Sequence, residues 1–277
     1  MPELPEVEVC RQGLLPKLEG RRITAIAIRA PKLRYPIPPD LAVLLPGCVV
    51  RAIRRRGKYL LFDCARPGVE GTLIVHLGMS GSLCFVAPGQ MPGRHDHVDL
   101  RFDQQLLRYT DPRRFGLWLW QAGPPEASGA HPLLAVQGIE PLAPAFDGDW
   151  LHTALARRAS PVKPVLMDSH LLVGVGNIYA SESLFRAGVS PLRPAKRISR
   201  ARCQRLAAAI RQTLADAIAA GGSSIRDYVH SDGGTGWFQI EAAVYERAGL
   251  PCRRCGGLIR QIRQAGRSTY YCPQCQH

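Results

Sequence analysis

Four cysteines near the end of the chain constrain its fold more than any other feature. They form two C-x2-C pairs separated by sixteen residues: Cys252, Cys255, Cys272 and Cys275. Four thiolates close a tetrahedral structural zinc site and leave no open position for catalysis. Two disulfides are the alternative, which an intracellular location disfavours. We therefore expect one structural zinc ion per chain, with the residues between the pairs forming a β-hairpin.

The composition and the N-terminus indicate where the protein acts. Hydrophobic residues make up 46% of the chain and charged residues 21%, as in globular proteins. No run of about 18 apolar residues occurs, so no membrane-spanning helix is expected. The chain begins with prolines and glutamates, where a signal peptide would have basic and then apolar residues. These features predict a cytoplasmic protein that does not act at a membrane.

The net charge of +14 is distributed unevenly along the chain. Residues 1–150 contain 18 basic and 15 acidic residues, whereas residues 151–277 contain 18 and 7. A strongly basic half indicates a polyanionic partner, most often nucleic acid. A basic surface that only keeps the protein in solution is the alternative interpretation.

Hydrophobic periodicity divides the chain into a strand-rich part and a helix-rich part. Six short runs, from RRITAIAIRA to GLWLW, predict a β-sandwich or barrel after a helix over about residues 7–18. Residues 122–149 are rich in proline, glycine and alanine and predict a linker. The clearest later helix has Ser199 as its N-cap and Gly221 as its stop signal. The expected fold class is α+β.

The opening stretch, MPELPEVEV, is suited to covalent chemistry. If Met1 is removed, Pro2 has a secondary amine that can condense with an aldehyde-like carbon to give an iminium. This cation accepts electrons during elimination without a further proton. Glu3 can transfer protons beside it, and Glu6 can face the same pocket one helical turn later. A stiff terminus without chemistry is the alternative interpretation.

Three further motifs point to phosphate and DNA contact. Asn177 follows a glycine turn and is expected to cap a helix, whose N-terminus would bind phosphate; a purely structural cap would have the same sequence. Lys58 belongs to the basic run RRRGKYL. Met79 and Phe115 lie among glycines, which predicts exposed positions in turns, although methionine more often fills a core.

Taken together and in order, these motifs resemble the formamidopyrimidine-DNA glycosylase family of bacterial base-excision repair. The resemblance runs from end to end: PELPEVE, RRRGKYL, HLGMSGSL, HDHVDL, YTDPRRFG, LMD, GVGNIYASE, GGSS and GRSTYYCPQCQ. It implies an N-terminal catalytic β-sandwich over residues 2–121 and a linker over 122–149. It further implies a helix-two-turn-helix DNA-binding domain over residues 150–242 and a zinc finger over 243–277.

The resemblance also implies an activity and its catalytic residues. The enzyme would remove 8-oxoguanine and formamidopyrimidines from duplex DNA and nick the strand by β,δ-elimination. Pro2 would attack C1′ of the deoxyribose, and Glu3 would be the general acid. Lys58 would serve β-elimination and Arg267 δ-elimination. Zinc would be present without an organic cofactor, and the enzyme would act as a monomer at the bacterial nucleoid.

Further residues are implied to contact the lesion and the DNA. The lesion pocket would contain Glu6, Ser223, Ser224 and Tyr228. DNA contacts would come from His95, Arg158, Lys163 and Asn177, with His76 a further candidate for phosphate contact. Met79, Arg113 and Phe115 would fill the space that the flipped base leaves, because an empty stack is costly. Arg113 would also face the orphaned partner base, cytosine, with its fork of donors.

Two other functions remain as alternatives. An endonuclease VIII-like enzyme acting on oxidised pyrimidines typically opens PEGPE, whereas Leu4 and Met79 here favour the purine branch. A non-catalytic zinc-finger DNA-binding protein would leave Pro2 and Glu3 unexplained.

Two positions depart from the family pattern. Trp237 stands where tyrosine or histidine is more usual, which is a mild change. Glu246 stands where glycine is usual, and its carboxylate near DNA would be unfavourable unless paired.

Overall fold

The computed structural model describes residues 2–87, 89–222 and 242–277. Ser223, Ser224 and Tyr228, assigned above to the lesion pocket, lie outside these residues, as does Trp237. Within the described ranges, no helix has the length and apolar character needed to cross a membrane. The described residues divide into two compact units: residues up to 135 together with 221–222, and residues 136–220 together with 242–277.

The first unit begins with helix α1 (Leu4–Leu18). The helix starts three residues earlier than its apolar period predicts, because Glu3 and Glu6 form a capping box at its N-terminus. Pro5 is tolerated in the first turn, where its missing N–H would have no partner within the helix. One side of α1 is buried against the sheets that follow.

Eight strands and one short helix, α2 (Leu41–Leu44), follow α1. The strands are β1 (Ile23–Ile28), β2 (Val49–Arg56), β3 (Tyr59–Arg66), β4 (Val69–His76), β5 (Ser82–Val86), β6 (Asp96–Phe102), β7 (Gln105–Thr110) and β8 (Leu117–Ala122). They form two antiparallel sheets of order β1-β6-β7-β5 and β2-β3-β4-β8. The predicted sandwich is confirmed.

Both sheets contribute side chains to one hydrophobic core. Phe62 and Leu73 from one sheet meet Leu100 and Leu107 from the other, all nearly inaccessible to water. Besides the longer connection from β1 to β2 through α2, two short loops carry the chain between the sheets: residues 77–81 join β4 to β5, and residues 111–116 join β7 to β8. We call these the first and second crossover loops. They carry several of the residues predicted to contact DNA.

Part of the predicted linker packs on the first unit. A 3-10 helix (Pro125–Ala130) and helix α3 (Pro132–Ala135) follow β8. Ser128 accepts a hydrogen bond from Arg54 at 3.2 Å, and Leu134 packs in a small cluster with residues of β3, β4 and β8. These contacts place residues up to 135 in the first compact unit, while the domain boundaries stay a prediction.

The second unit is helical and ends in a β-hairpin. Its helices are α4 (Gly148–Leu155), α5 (Val162–Leu166), α6 (Asn177–Ala187) and α7 (Arg200–Ala219). The hairpin pairs β9 (Arg260–Gln264) with β10 (Arg267–Tyr271). Helix α7 begins after Ser199, as predicted, although the hydroxyl forms no cap bond. Gly221 follows the C-cap with a φ of 84°. The α+β fold class is confirmed.

Candidate active site and nucleic-acid interface

The proposed nucleophile and general acid lie at the buried N-terminus of α1. Pro2 is buried, and Glu3 and Glu6 are 2% and 0% exposed. The backbone N–H of Glu3 donates to the Glu6 carboxylate at 2.7 Å, and the Glu3 carboxylate accepts from the backbone N–H of Glu6. This reciprocal pairing fixes both carboxylates beside Pro2, at the end of the helix where the dipole favours negative charge.

The chain returns to this place just before the predicted lesion loop. Gly222 has a φ of 84°, and a Cβ on it would lie 3.5 Å from both Cα and Cγ of Glu6. The two GGSS serines themselves lie beyond the described residues. Of the predicted pocket residues, the structure therefore describes Glu6, and it places Gly222, which precedes the predicted loop, against this residue.

Lys58 lies in the tight turn between β2 and β3. A side chain of α1 helps to hold this turn in place. Glu8 accepts hydrogen bonds from Arg11 at 2.7 Å and from Arg55 at 2.9 Å. Arg55 also donates to the Gly57 carbonyl at 3.0 Å. Burial opposes ionisation of Glu8, but the bonds from Arg11 and Arg55 outweigh it and hold the pKa of this carboxyl below its ordinary value. Glu8 thus links α1 to the Lys58 turn.

His76 is a neutral side chain at the end of β4. Its Nδ1 accepts from the Gly78 N–H at 2.9 Å, and its ring meets Tyr59 edge-on at 4.8 Å. Burial, followed by the positive charges of Lys58 and Arg34, lowers the pKa of His76 to about 3. Because Nδ1 accepts, the neutral ring carries its proton on Nε2. Any phosphate contact by His76 is then a neutral hydrogen bond.

The crossover loops expose the side chains predicted to fill the DNA stack. Met79 on the first loop is 37% exposed, and Phe115 on the second is 43% exposed. The Arg113 guanidinium lies 4.8 Å from the centre of the Phe115 ring, a cation–π arrangement. His95 lies next to the second loop, since its carbonyl accepts from the Asp111 N–H at 2.9 Å. The exposure predicted for Met79 and Phe115 is confirmed.

Two predictions in the second unit need correction. Asn177 is the first residue of α6 and not its cap; the N-cap is Gly176, and the side-chain oxygen Oδ1 of Asn177 accepts from the Lys163 ammonium at 2.7 Å. Lys163 does not present its charge at the surface, because it is 1% exposed. Its ammonium also donates to Thr269 at 2.8 Å and to the Ser268 carbonyl at 3.1 Å.

A small cavity lies where α5 meets the hairpin. It is lined by Lys163, Pro164, Met167, Asp168, Gln264, Ala265, Arg267 and Thr269. Arg267, the proposed δ-elimination residue, is exposed at the start of β10. Arg158 is about half exposed, and its guanidinium lies 3.5 Å from the Asp168 carboxylate. Both arginines are therefore accessible cations of the second unit.

The four cysteine sulfurs fit one zinc ion. All four lie within 4.8 Å of one another, with 3.9 Å from Cys252 to Cys275 and 3.5 Å from Cys255 to Cys272. Tetrahedral zinc with bonds of about 2.3 Å sets its sulfurs about 3.8 Å apart, whereas a disulfide needs about 2.05 Å. The donor set and spacing match zinc and exclude the disulfide alternative. One structural zinc is thus the cofactor.

Two buried polar side chains that the motifs did not single out support this region. Glu182 on α6 accepts from the backbone N–H groups of Ala243, Val244 and Tyr245 at 2.9 to 3.0 Å. Gln276 accepts from the Cys272 N–H at 2.8 Å. Glu182 could have been identified by its charge, since it lies on a helix face whose other residues are buried.

Three family models match the chain, and they agree with this architecture. Residues 1–118 match the formamidopyrimidine-DNA glycosylase N-terminal domain, and residues 137–229 match the formamidopyrimidine-DNA glycosylase H2TH domain. Residues 249–277 match a zinc finger found in FPG and IleRS. The zinc-finger match contains all four cysteines of the cluster.

Relatives and solved structures match along the whole chain. The formamidopyrimidine-DNA glycosylase of Dechloromonas aromatica is 69% identical and that of Thiobacillus denitrificans 56%, each covering 100% of both chains. A Lactococcus lactis Fpg in complex with abasic-site DNA is 34% identical, with a TM-score of 0.90 and 99% of each chain covered. MutM (Fpg) from Thermus thermophilus is 38% identical, with a TM-score of 0.87, covering 99% of this chain and 98% of that one. On these matches, the chain belongs to the formamidopyrimidine-DNA glycosylase family.

Proposed function

We propose that this chain excises oxidised purines through a covalent intermediate on Pro2. As a member of its family it is a base-excision repair glycosylase with AP lyase activity, acting on oxidised purines in DNA. Similar structures hold a carbocyclic 8-oxo-G or a Fapy-dG in DNA, and damaged DNA is the partner here. The buried grouping of Pro2, Glu3 and Glu6 is the observation that carries the catalytic assignment.

The first step is attack on the sugar. Once Met1 is removed, the lone pair of the Pro2 nitrogen attacks C1′ of the deoxyribose, and the bond from C1′ to the base breaks. The departing base takes up the proton that the Pro2 nitrogen releases, and Glu3 supplies a proton to the sugar oxygen O4′ as the ring opens, leaving an iminium between Pro2 and C1′. The capping box supports this role, because it holds the Glu3 carboxylate in one place beside Pro2.

The next steps cleave the strand. The iminium withdraws electrons, so a general base can remove a proton from C2′. The 3′ phosphate then leaves. We assign this β-elimination to Lys58, whose turn is held by the bond from Arg55 to Gly57. We assign the second, δ-elimination to Arg267, whose exposed guanidinium can bind the 5′ phosphate as it leaves. Zinc has no role in these steps, because four thiolates complete its coordination.

The crossover loops are proposed to replace the extruded base. Taking a base out of the duplex costs a few kcal/mol unless other groups occupy the gap. Met79 and Phe115 are exposed apolar side chains on neighbouring loops, suited to stacking there. Arg113 is held beside Phe115 and can offer its donors to the partner cytosine.

Phosphate contacts and location complete the proposal. We assign contacts with the DNA backbone to His76, His95, Arg158 and Asn177. The Lys163 ammonium holds the Asn177 side chain in place by a hydrogen bond. Each charged contact releases counterions and makes binding weaker at high salt. The enzyme is proposed to act as a monomer at the nucleoid, in the bacterial cytoplasm.

Borohydride trapping tests the catalytic assignment. A duplex with one 8-oxoguanine opposite cytosine is incubated with the enzyme and reductant, and the covalent adduct is measured. An uncleaved N-terminal extension makes the Pro2 nitrogen an amide, so the adduct should fall to background. The same extension placed at the C-terminus is the matched control and should trap normally. Strong trapping by the N-terminally extended chain would refute the role of Pro2.

A further inference from the structure

A buried carboxylate joins the two crossover loops. Asp111 begins the second loop and is 0% exposed. Its Oδ1 accepts from the Ser80 hydroxyl at 2.9 Å and from the Arg113 N–H at 3.3 Å. Its Oδ2 accepts from the Gly116 N–H at 2.9 Å and from the Tyr109 hydroxyl at 3.0 Å. One side chain thus bonds to the first loop, to two backbone N–H groups of the second loop and to β7.

The donors around this carboxylate are neutral. Among the residues that the structure describes, no lysine or arginine side chain forms an ion pair with Asp111. A buried carboxylate is tolerated only when its lone pairs are satisfied, and here hydroxyl and backbone groups do this. The Asp111 backbone adds further bonds, from its N–H to the His95 carbonyl and between its carbonyl and His97, each at 2.9 Å. The loops are therefore organised around one residue.

The two loops also touch without side chains between them. A Cβ on Gly78 of the first loop would lie 2.4 Å from the Gly116 nitrogen of the second. A Cβ on Gly81 would lie 2.8 Å from the Tyr109 hydroxyl oxygen, and one on Gly116 would lie 1.8 Å from it. Such distances are too short for real atoms. The glycines let the loops close on Tyr109 and Asp111 with no gap.

We propose that Asp111 is a positioning residue for base extrusion. It holds the crossover loops as one rigid body, so that Met79, Arg113 and Phe115 enter the stack together. Loops that moved independently would have to be ordered when they insert, which would weaken insertion. The proposal rests on the stack-filling role assigned to these side chains above. It predicts no part for Asp111 in the chemistry at Pro2.

Replacing Asp111 by asparagine tests this role. The Asp111→Asn side chain has nearly the same shape, but its amide group would face hydrogen-bond donors and leave them without an acceptor. Two single-turnover rates are measured: excision of 8-oxoguanine opposite cytosine, and cleavage of the same duplex at a preformed abasic site. Only the first needs a stacked base to be extruded. We expect excision to fall by about tenfold or more and abasic-site cleavage by less than about threefold.

Two further variants keep the test decisive. Ser80→Ala removes only the link to the first loop, so it should lower excision in the same selective way even if Asp111→Asn fails to fold. Asp103→Asn, in the exposed turn between β6 and β7, is the matched control and should leave both rates unchanged. If the Asp111 and Ser80 variants lower both rates equally, or neither, the positioning role is wrong.

If the stack-filling role assigned to Met79 and Phe115 is wrong, the measured rates will show a different pattern. Met79→Ala and Phe115→Ala should themselves lower excision more than abasic-site cleavage. If they leave excision unchanged, the stack-filling role is wrong, and the positioning proposal falls with it. If they lower excision while Asp111→Asn and Ser80→Ala do not, the stack-filling role stands and only the positioning proposal is overturned.

Discussion

Glu246, which precedes the four zinc ligands in the chain, has a left-handed backbone with a φ of 57°. This conformation costs an L-residue about 1–2 kcal/mol and costs glycine almost nothing. The strain accounts for the glycine that the family pattern has at this position. Arg247, the cation available in sequence to pair with Glu246, donates instead to the carbonyls of Ala243 and Pro251 at 2.8 and 3.0 Å.

Glu246→Gly should therefore stabilise the protein. Relief of the strain, less the extra freedom of glycine in the unfolded chain, should raise the free energy of unfolding by about 0.5–1 kcal/mol. Urea denaturation of the zinc-loaded protein measures this. Glu246→Gln is the matched control, because it removes the charge and keeps the strained backbone. An equal gain in both variants would attribute the effect to charge and contradict the backbone explanation.

Residues whose function depends on local sequence could be predicted, and residues that act through distant backbone groups could not. The cysteine spacing identifies the zinc ligands, and the first residues indicate the proposed nucleophile at the N-terminus. Glu182 binds backbone N–H groups more than sixty positions away, and Asp111 links two loops that only the sandwich brings together. Such partnerships arise from the tertiary fold, and no spacing rule within the sequence indicates them.

The same distinction applies to secondary-structure elements. Strands with regular apolar alternation were predicted, whereas β2 and β3 are not among the six predicted runs, since arginines interrupt the pattern of β2. Arg54 in that strand is neutralised by Asp63 of β3, which is visible only once the strands pair. Asn177 was predicted to cap α6 because short polar residues often do so, but the Lys163 ammonium binds its side-chain oxygen.

Three elements of the second unit are joined by one buried cation. Lys163 on α5 donates to Asn177 at the start of α6 and to Ser268 and Thr269 on β10. Burying an ammonium group is unfavourable unless oxygen acceptors surround it, so these bonds have to form together. Strand β10 begins with Arg267, so its placement depends on the same cation.

Lys163→Met should loosen the hairpin without leaving a large cavity. The three oxygen acceptors would lose their donor, and the free energy of unfolding should fall by about 2 kcal/mol. Because β10 carries Arg267, the ratio of δ- to β-elimination product should also fall. Lys196→Met, at an exposed lysine of the same unit, is the matched control and should change stability little. An unchanged unfolding midpoint with an unchanged product ratio would contradict this account.

On the scale of the whole molecule, the two ends of the chain are stabilised by different means. The β-sandwich has a large core shared by two sheets and α1. The core near the C-terminus is small: Phe185, Val244, Cys252, Ile259 and Cys272. Two of these five are zinc ligands. Segments below about 40 residues rarely fold without a metal or disulfides, so residues 243–277 depend on zinc for their structure.

Removing zinc should therefore unfold residues 243–277 and leave the β-sandwich folded. Hydrogen exchange followed by mass spectrometry measures this directly: after chelation, β9 and β10 should lose protection while β2, β3 and β4 keep theirs. Cys255→Ser should have the same effect, because three thiolates bind the ion more weakly than four. Cys84→Ser, at a cysteine outside the cluster, should retain one zinc per chain and a protected hairpin. Since Arg267 lies on β10, the metal-free enzyme should also lose δ-elimination. A hairpin that stays protected without stoichiometric metal would show that packing alone holds it.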